Sequence, residues 1–301
     1  MPQDTASTGR DEATLHFNRL LPRLKGIAYR MLGSVAEAEE VVQDAWLRWH
    51  EAQDDAPDNA EAWLVTVTTR IAIDRLRAAK VQREHYSGIW LPEPMLTDTS
   101  PSPEAMLERA DEVSLAFLVV LERLSPEARA AFLLREVLDV DYPEVARMVD
   151  KSEAACRQLV HRAKQQLADE RPRYEVPPET HHRLLSGFAK ALTGGDFGAL
   201  RAMLADGAEL IGDGGGKLPS FPEPLVGGQR IAQLFFAAHL RFHEAQRLEL
   251  VRLNGAWGLL RFIDDKLESA QCYETDGEHI VRIRVQRNPD KLAHLLAALS
   301  A

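Results

Sequence analysis

The 301-residue chain holds only two cysteines, Cys156 and Cys272, in stretches of different character. So thin a supply excludes a disulfide framework, and the wide separation argues against a metal pair. Cys156 reads instead as a small core hydrophobe. Nothing approaches the run of roughly 18 apolar residues that a membrane-spanning helix needs. The first residues, MPQDTASTGRDEAT, carry neither the basic start nor the apolar stretch of a secretory leader. These absences lead to the expectation of a cytoplasmic protein with no membrane association. The chain also lacks the basic excess of a general nucleic-acid coat, with a formal net charge of −10. Internal repeats and low-complexity tracts are missing as well.

What charge there is follows a pattern. Residues 1–176 hold 22 Lys+Arg against 31 Asp+Glu, and residues 177–301 hold 14 against 15. Glu37 to Glu61 contains nine acids and a single base, Arg48, whereas Arg70 to Glu84 contains five bases and two acids. Lys151 to Arg173 contains six bases and three acids. Two basic islands and an acidic helix ahead of them point to two DNA contacts and one protein contact.

The most informative stretch is YPEVARMVDKSEAACRQLVHRAKQQ, Tyr142 to Gln166. Pro143 suits a first helical turn, Val145 and Val149 share an apolar face, and Asp150-Lys151 is a short turn. Ser152 is a good N-cap for a second helix whose buried stripe is expected at Leu159, Ala163 and Leu167. The reading is a helix-turn-helix. Lys151, Ser152, Glu153, Arg157, Gln158, His161 and Arg162 become candidate DNA contacts: guanidinium and carboxamide groups read base edges, and the other cations suit phosphates. The competing reading is a surface helix with solvated charges.

Upstream, helical periodicity runs from about Thr14 to Leu32, Ala36 to Ala52 and Ala60 to Arg83, with a turn at Asp55 to Asp58. A Pro- and Gly-containing linker follows, and helix resumes near Pro103. Ser125-Pro126-Glu127 caps a helix running to Val137. The expected domains are residues 10–84, a linker at 85–110, a second helical domain at 111–170, and a third domain at 177–301. The third opens with helices at His181 to Leu192 and Asp196 to Leu204. Strand patterns follow at Ala208 to Ile211, Leu248 to Asn254, Gly258 to Phe262, Ser269 to Glu274 and His279 to Val285, with a helix at Gln229 to His243 among them. Helices followed by a curled antiparallel sheet make an α+β domain.

With these motifs in view, Leu15 to Leu167 resembles an RNA polymerase sigma factor of the extracytoplasmic-function (ECF) type. GSVAEAEEVVQDAWLR (Gly33 to Arg48) resembles the family's polymerase-docking helix, which implies polymerase contacts at Glu37, Glu40, Gln43 and Asp44. Ala62-Trp63-Leu64 with Arg70 and Asp74-Arg75-Leu76-Arg77 resembles the helix that opens the −10 element, which implies roles for Trp63, Arg70, Asp74, Arg75, Arg77 and Lys80. Opening a duplex asks for such cations, with apolar groups to replace lost stacking; Trp63 itself also reads as core. Many members carry Asn after the residue equivalent to Arg70, whereas this chain has Ile71, so altered base selection is expected. Leu124-Ser125-Pro126-Glu127 onward resembles the domain that reads the −35 element.

Pro177 to Ala301 resembles the SnoaL-like branch of the NTF2-like superfamily, an α+β cone with a central pocket. Three motifs match the sigma-factor subgroup carrying such an extension: Trp90-Leu91-Pro92-Glu93-Pro94, Asp213-Gly214-Gly215-Gly216-Lys217 and Asn288-Pro289-Asp290-Lys291. Val226-Gly227-Gly228 and Asn254-Gly255-Ala256 accompany them, and Trp257 stands where the subgroup often has proline. The expected fold class is therefore two all-α sigma domains followed by an α+β cone domain. The resemblance implies core polymerase and promoter DNA as partners. It also implies regulation in cis in place of a separate anti-sigma protein.

The glycine run is not a phosphate loop, because Lys217 is followed by Leu218 and the spacing fails. Its glycines suit positive φ or close backbone approach. Asp213 and Lys217 are expected to pair with each other or with the sigma domains, and plain turn chemistry explains the run equally well. Asp213, His239, His243 and His279 form no diagnostic catalytic set, so no catalytic residue, metal site or cofactor is expected. A small-molecule ligand suits an enclosed pocket. Two other classes each explain part of the chain: a ligand-sensing one-component regulator, which leaves Gly33 to Arg83 without a role, and a SnoaL-like enzyme with a DNA-binding appendage.

Overall fold

The computed structural model describes residues 4–52, 59–83, 86–97, 114–168 and 176–300, with side chains described except at 4–13 and 80–83. The turn expected at Asp55 to Asp58, the helical start near Pro103 and the Lys80 side chain lie outside the described residues. The chain divides into two compact units. The described part of the first is 4–52, 59–82 and 120–168; that of the second is 83, 86–97, 114–119 and 176–300.

In the first unit, α1 (Asp4–Leu32) and α2 (Val35–Glu51) meet at the Gly33-Ser34 break, where Ser34 Oγ accepts from Glu37 N at 3.2 Å and caps α2. α1 starts well before Thr14 and carries Pro22 in its interior. α3 (Ala60–Arg83) starts behind Asn59, whose Oδ1 accepts from Ala62 N at 3.0 Å. Apolar faces at helical spacing bury Leu24, Met31, Leu32, Val41 and Leu64. Ile71 is buried too, so it belongs to this core and presents no side chain to solvent.

After α4 (Leu115–Leu121), Ser125 caps α5 (Pro126–Phe132), which continues as a π-helical turn, Leu133–Val137. α6 (Tyr142–Val149) has Pro143 in its first turn and ends at Asp150 in the left-handed region, φ 55°. α7 (Glu153–Ala168) then begins, with Ser152 Oγ accepting from Ala155 N at 3.2 Å. Its buried stripe is Cys156, Val160, Ala163 and Leu167. Leu159 is only half-buried, which corrects the expected stripe: steps of four, three and four residues follow the 3.6-residue turn, and uniform steps of four drift off the face.

The second unit begins its main body with α8 (Pro178–Gly194) and α9 (Phe197–Ala202). Six strands follow: β1 (Leu204–Asp213), β2 (Leu225–Val226), β3 (Gln246–Leu253), β4 (Ala256–Ile263), β5 (Lys266–Thr275) and β6 (Ile280–Gln286). α10 (Gly228–Phe242) lies between β2 and β3, and α11 (Pro289–Leu299) ends the unit. The order β2-β1-β6-β5-β4-β3 is antiparallel except at β1–β6, which is parallel. The sheet is therefore mixed, not antiparallel as expected, because the last strand returns beside the first.

Alternation sorts side chains between two cores. Leu259 joins Leu185, Phe188, Phe235, Tyr273 and Ile283 on one face, and Leu260 joins Phe262, Ala270, Leu292 and Leu295 on the other. Phe188 meets the Phe235 and Tyr273 rings edge-on at 5.6 and 5.7 Å.

Candidate nucleic-acid interface and linker clasp

The buried stripe of α7 turns Lys151, Ser152, Glu153, Arg157, Gln158, His161 and Arg162 outward, and all seven are exposed. Arg157 donates to Glu153 Oε2 at 3.2 Å and lies over the Tyr142 ring at 4.4 Å. Arg157 and Glu153 are both exposed, so their ion pair contributes little to stability. His161 meets Gln165 at 3.2 Å.

The candidate −10 residues on α3 are engaged within their own unit. Arg70 donates through Nε to Met148 O at 3.2 Å and through Nη2 to Arg147 O at 2.7 Å, the carbonyls at the end of α6. Arg77 donates to Glu127 from Nε at 3.0 Å and Nη2 at 2.6 Å, and to Asp74 at 3.0 Å. Arg75 pairs with Glu40 and, at 2.9 Å, with Asp44. Sequence reading assigned Arg75 to DNA and Glu40 and Asp44 to polymerase; the fold brings the three together. Gln43 is exposed and Glu37 half-buried on the same helix. Trp63 is half-buried with its ring 5.6 Å from that of Trp49, in line with its core reading.

Burial alone would raise the Glu127 carboxyl, but the hydrogen bonds from Arg77 and the backbone, together with the charges of Arg77 and Lys151, outweigh it and hold the group below the usual glutamate range. A depressed folded-state value means the Arg77–Glu127 contact contributes stability above the ordinary glutamate range. That contribution is lost as pH falls through the depressed value. An NMR titration of the Glu127 carboxyl is expected to show a midpoint below an ordinary glutamate's, and Arg77→Gln is expected to move it up.

In the second unit the three glycine- and proline-bearing motifs converge on Asp213, which is 1% exposed. Its Oδ1 accepts from Tyr86 Oη at 2.6 Å and Gly215 N at 3.0 Å. Its Oδ2 accepts from Leu91 N at 2.9 Å, Gln286 Nε2 at 3.3 Å and Lys291 Nζ at 2.7 Å. Lys291 also donates to Leu91 O at 2.7 Å and sits over the Trp90 ring at 4.1 Å. Gln286 reaches Pro92 O at 3.4 Å, while His294 meets Pro94 O at 2.7 Å and lies 3.8 Å from Glu93. Farther along, Met95 N and Asn254 Oδ1 meet at 3.0 Å, and Leu96 bridges Leu253. Residues 86–97 are thus clasped along the C-terminal unit.

Close approach explains the glycines. Gly215 has φ +60°, and a Cβ there would stand 2.3 Å from Asn288 Nδ2; one on Gly214 would stand 2.1 Å from Leu218 O. Gly216 also has positive φ. Asn288 caps α11, accepting from Asp290 N at 3.1 Å, with Pro289 in the first turn. Asp213 and Lys217 do not pair with each other: Lys217 reaches Asp290 at 2.6 Å, and Asp213 takes the adjacent Lys291. A local loop pair would have left Lys291 without its carboxylate. Burial and the Asp213 carboxylate together push the Tyr86 hydroxyl well above an ordinary tyrosine. Both Asp213 oxygens are thus engaged by donors of the clasp. Sequence reading missed Tyr86, Gln286 and His294, which carry no motif signal of their own.

Among the described residues no group of three or more His, Cys, Asp or Glu is arranged to hold a metal, and no helix is long and apolar enough to cross a membrane. Both cysteines are free, and burial pushes the Cys272 thiol up to about 12.

Residues 16–81 match the Sigma-70 region 2 family and residues 114–167 the Sigma-70, region 4 family. The ECF RNA polymerase sigma factor SigJ of Mycobacterium tuberculosis is 35% identical over 232 residues, spanning 75% of this chain and 73% of that protein. The probable ECF RNA polymerase sigma factor SigI of the same organism is 29% identical over 279 residues, spanning 92% and 93%. The crystal structure of M. tuberculosis SigJ aligns with a TM-score of 0.73 at 29% identity, covering 93% of this chain and 98% of that one. That likeness extends over the helical blocks and the α+β unit alike, a fold class with two helical sigma domains followed by an α+β domain. On the strength of these matches, the chain belongs to the ECF RNA polymerase sigma factors.

Proposed function

We propose that the chain binds core RNA polymerase and directs initiation at promoters read jointly by α3 at the −10 element and α7 at the −35 element. The C-terminal unit modulates this in cis by holding residues 86–97, so no separate anti-sigma protein is needed. The carrying observation is the outward row from Lys151 to Arg162 on a capped helix-turn-helix, in one chain with a second basic helix, α3. Polymerase contacts fall to Glu37, Glu40, Gln43 and Asp44. A covalently attached domain acts at high effective concentration, so weak docking suffices for regulation. Sigma factors are not enzymes, and the C-terminal unit serves here as a binding module.

The test is transcription with purified full-length protein, core polymerase and a promoter library, with the transcripts sequenced. Specific initiation is expected. Arg157→Ala is expected to cost about 1–3 kcal/mol at matched −35 sequences and to relax preference at one position. A uniform loss would make Arg157 a phosphate contact. Tight operator binding without polymerase, and no initiation with it, would replace this reading with that of a one-component regulator.

A further inference from the structure

Outside the clasp, the C-terminal unit holds a cavity of ≈ 850 Å³ between α10 and the sheet, a size that suits a small organic ligand. Apolar side chains form most of its wall, among them Leu210, Leu234, Phe235 and Leu267. The charged lining is lopsided: Arg241, Arg261, Lys266 and Arg287 against Glu268 alone. Glu268 is committed to Arg287, which donates to it from Nε at 2.7 Å and Nη2 at 2.5 Å.

Arg261 is the group this arrangement leaves unserved. Its side chain is 12% exposed, and Nη1 lies 3.9 Å from Glu268, beyond hydrogen-bond reach. Its Nε and Nη2 are buried and donate to no acceptor among the described residues. Neighbouring polar groups satisfy one another: Tyr273 Oη donates to Gln271 Oε1 at 2.5 Å, and Gln271 Nε2 to Ser269 Oγ at 3.1 Å. A buried guanidinium edge without an acceptor is costly, and burial accordingly pulls the Arg261 pKa down. Parallel donors from Nε and Nη2 match the two oxygens of a carboxylate in a planar, bidentate pair.

We propose that this cavity binds an amphipathic monocarboxylate, its carboxylate paired to Arg261 Nε and Nη2 and its apolar body against Leu234, Phe235 and Leu267. The site is placed to communicate with the clasp. On β1, Leu210 and Gly212 line the cavity and the next residue, Asp213, holds residues 86–97; at the end of β6, Val285 and the following Arg287 line it and Gln286, between them, bonds Asp213. Successive side chains of a strand face opposite sides, so cavity and clasp share the same two strands. The proposal is independent of the promoter reading, since binding is measured without polymerase.

Calorimetric titration of the full chain with sodium octanoate and with 1-octanol, which has the same number of carbons and no charge, decides it. Octanoate is expected to bind at least about tenfold more tightly than octanol, the worth of a charge-assisted pair. Arg261→Met is expected to bring octanoate down to the affinity of octanol and leave octanol unchanged. Leu234→Trp, which puts a bulkier ring against the apolar part of the cavity, is expected to weaken binding of both. Equal affinity for the two probes, no octanoate binding, or undiminished octanoate binding by Arg261→Met overturns the proposal. The comparison on the unsubstituted chain stands alone, so failure of a variant to fold leaves the question decidable.

Discussion

Replacing Asp213 by alanine is expected to destabilise the C-terminal unit by about 3–5 kcal/mol, the cost of breaking a buried ion pair from one side. The carboxylate sits at the meeting point of five donors and is 1% exposed. Truncation leaves Lys291, itself 7% exposed, without its counter-charge, and strands the Leu91 and Gly215 amides. Asp213→Asn keeps the shape but removes the negative charge that faces the Lys291 ammonium. Combining Asp213→Asn with Lys291→Met removes both charges and is expected to recover a large part of the loss; the double-mutant cycle isolates the coupling. Because the chain has two units, one global unfolding energy is not well defined. Hydrogen exchange at Leu91 N, Thr97 N and Asn254 N reads the clasp directly. Opening free energies there should fall together in Asp213→Ala, while those of α7 stay unchanged. A loss below about 1 kcal/mol would mean that the pair contributes no more than an exposed salt bridge.

The same pair marks where sequence reading stops. The motifs around Asp213, Trp90 and Asn288 stand out by composition, because glycine, proline and cap residues mark constrained backbone. Their partners do not stand out. A local rule pairs Asp213 with Lys217, four residues away; the fold pairs it with Lys291, 78 residues away, and nothing in either motif encodes that choice. Strand existence was readable from period-2 alternation, yet the parallel β1–β6 pairing was not, since alternation fixes which side chains share a face and is silent on strand direction. The helix-turn-helix was the most legible part. Pro143, the Asp150 turn and Ser152 are local signals with local causes, and only the register of the α7 stripe needed correction. Arg75 is the opposite case: its charge suggests DNA, and its geometry on α3 delivers it to Glu40 and Asp44.

Arg129 gives the second large effect, and no sequence signal marks it, because arginine in an alanine-rich helix ordinarily reads as solvated. It is 2% exposed inside the first unit. Nε donates to Leu121 O at 2.9 Å, and Nη1 donates to Met31 O at 2.5 Å and Glu122 at 2.8 Å. Met31 lies in the last turn of α1, where carbonyls lack helical partners and a cation is favoured by the helix dipole. One guanidinium thus satisfies an orphan carbonyl of the first helical block, a carbonyl of α4 and a half-buried carboxylate. Arg129→Ala is expected to destabilise this unit by about 3–5 kcal/mol through unpaired buried groups and the vacated volume. The lower end is favoured because Glu122, at 18% side-chain exposure, regains some hydration. Arg129→Met refills the volume without donors, so its difference from alanine measures the cavity and what remains measures the lost hydrogen bonds. Arg129→Lys keeps the charge but cannot span carbonyls in different directions from a planar fork, so it should fall between alanine and the parent. Urea unfolding followed through Trp46, Trp49 and Trp63, all within this unit, provides the readout. If Arg129→Lys proves as stable as the parent, charge at this position suffices and the fork geometry contributes nothing. If Arg129→Met proves more stable than the parent, the buried guanidinium is retained at a cost in stability, and holding α1 to α5 is the function that keeps it there.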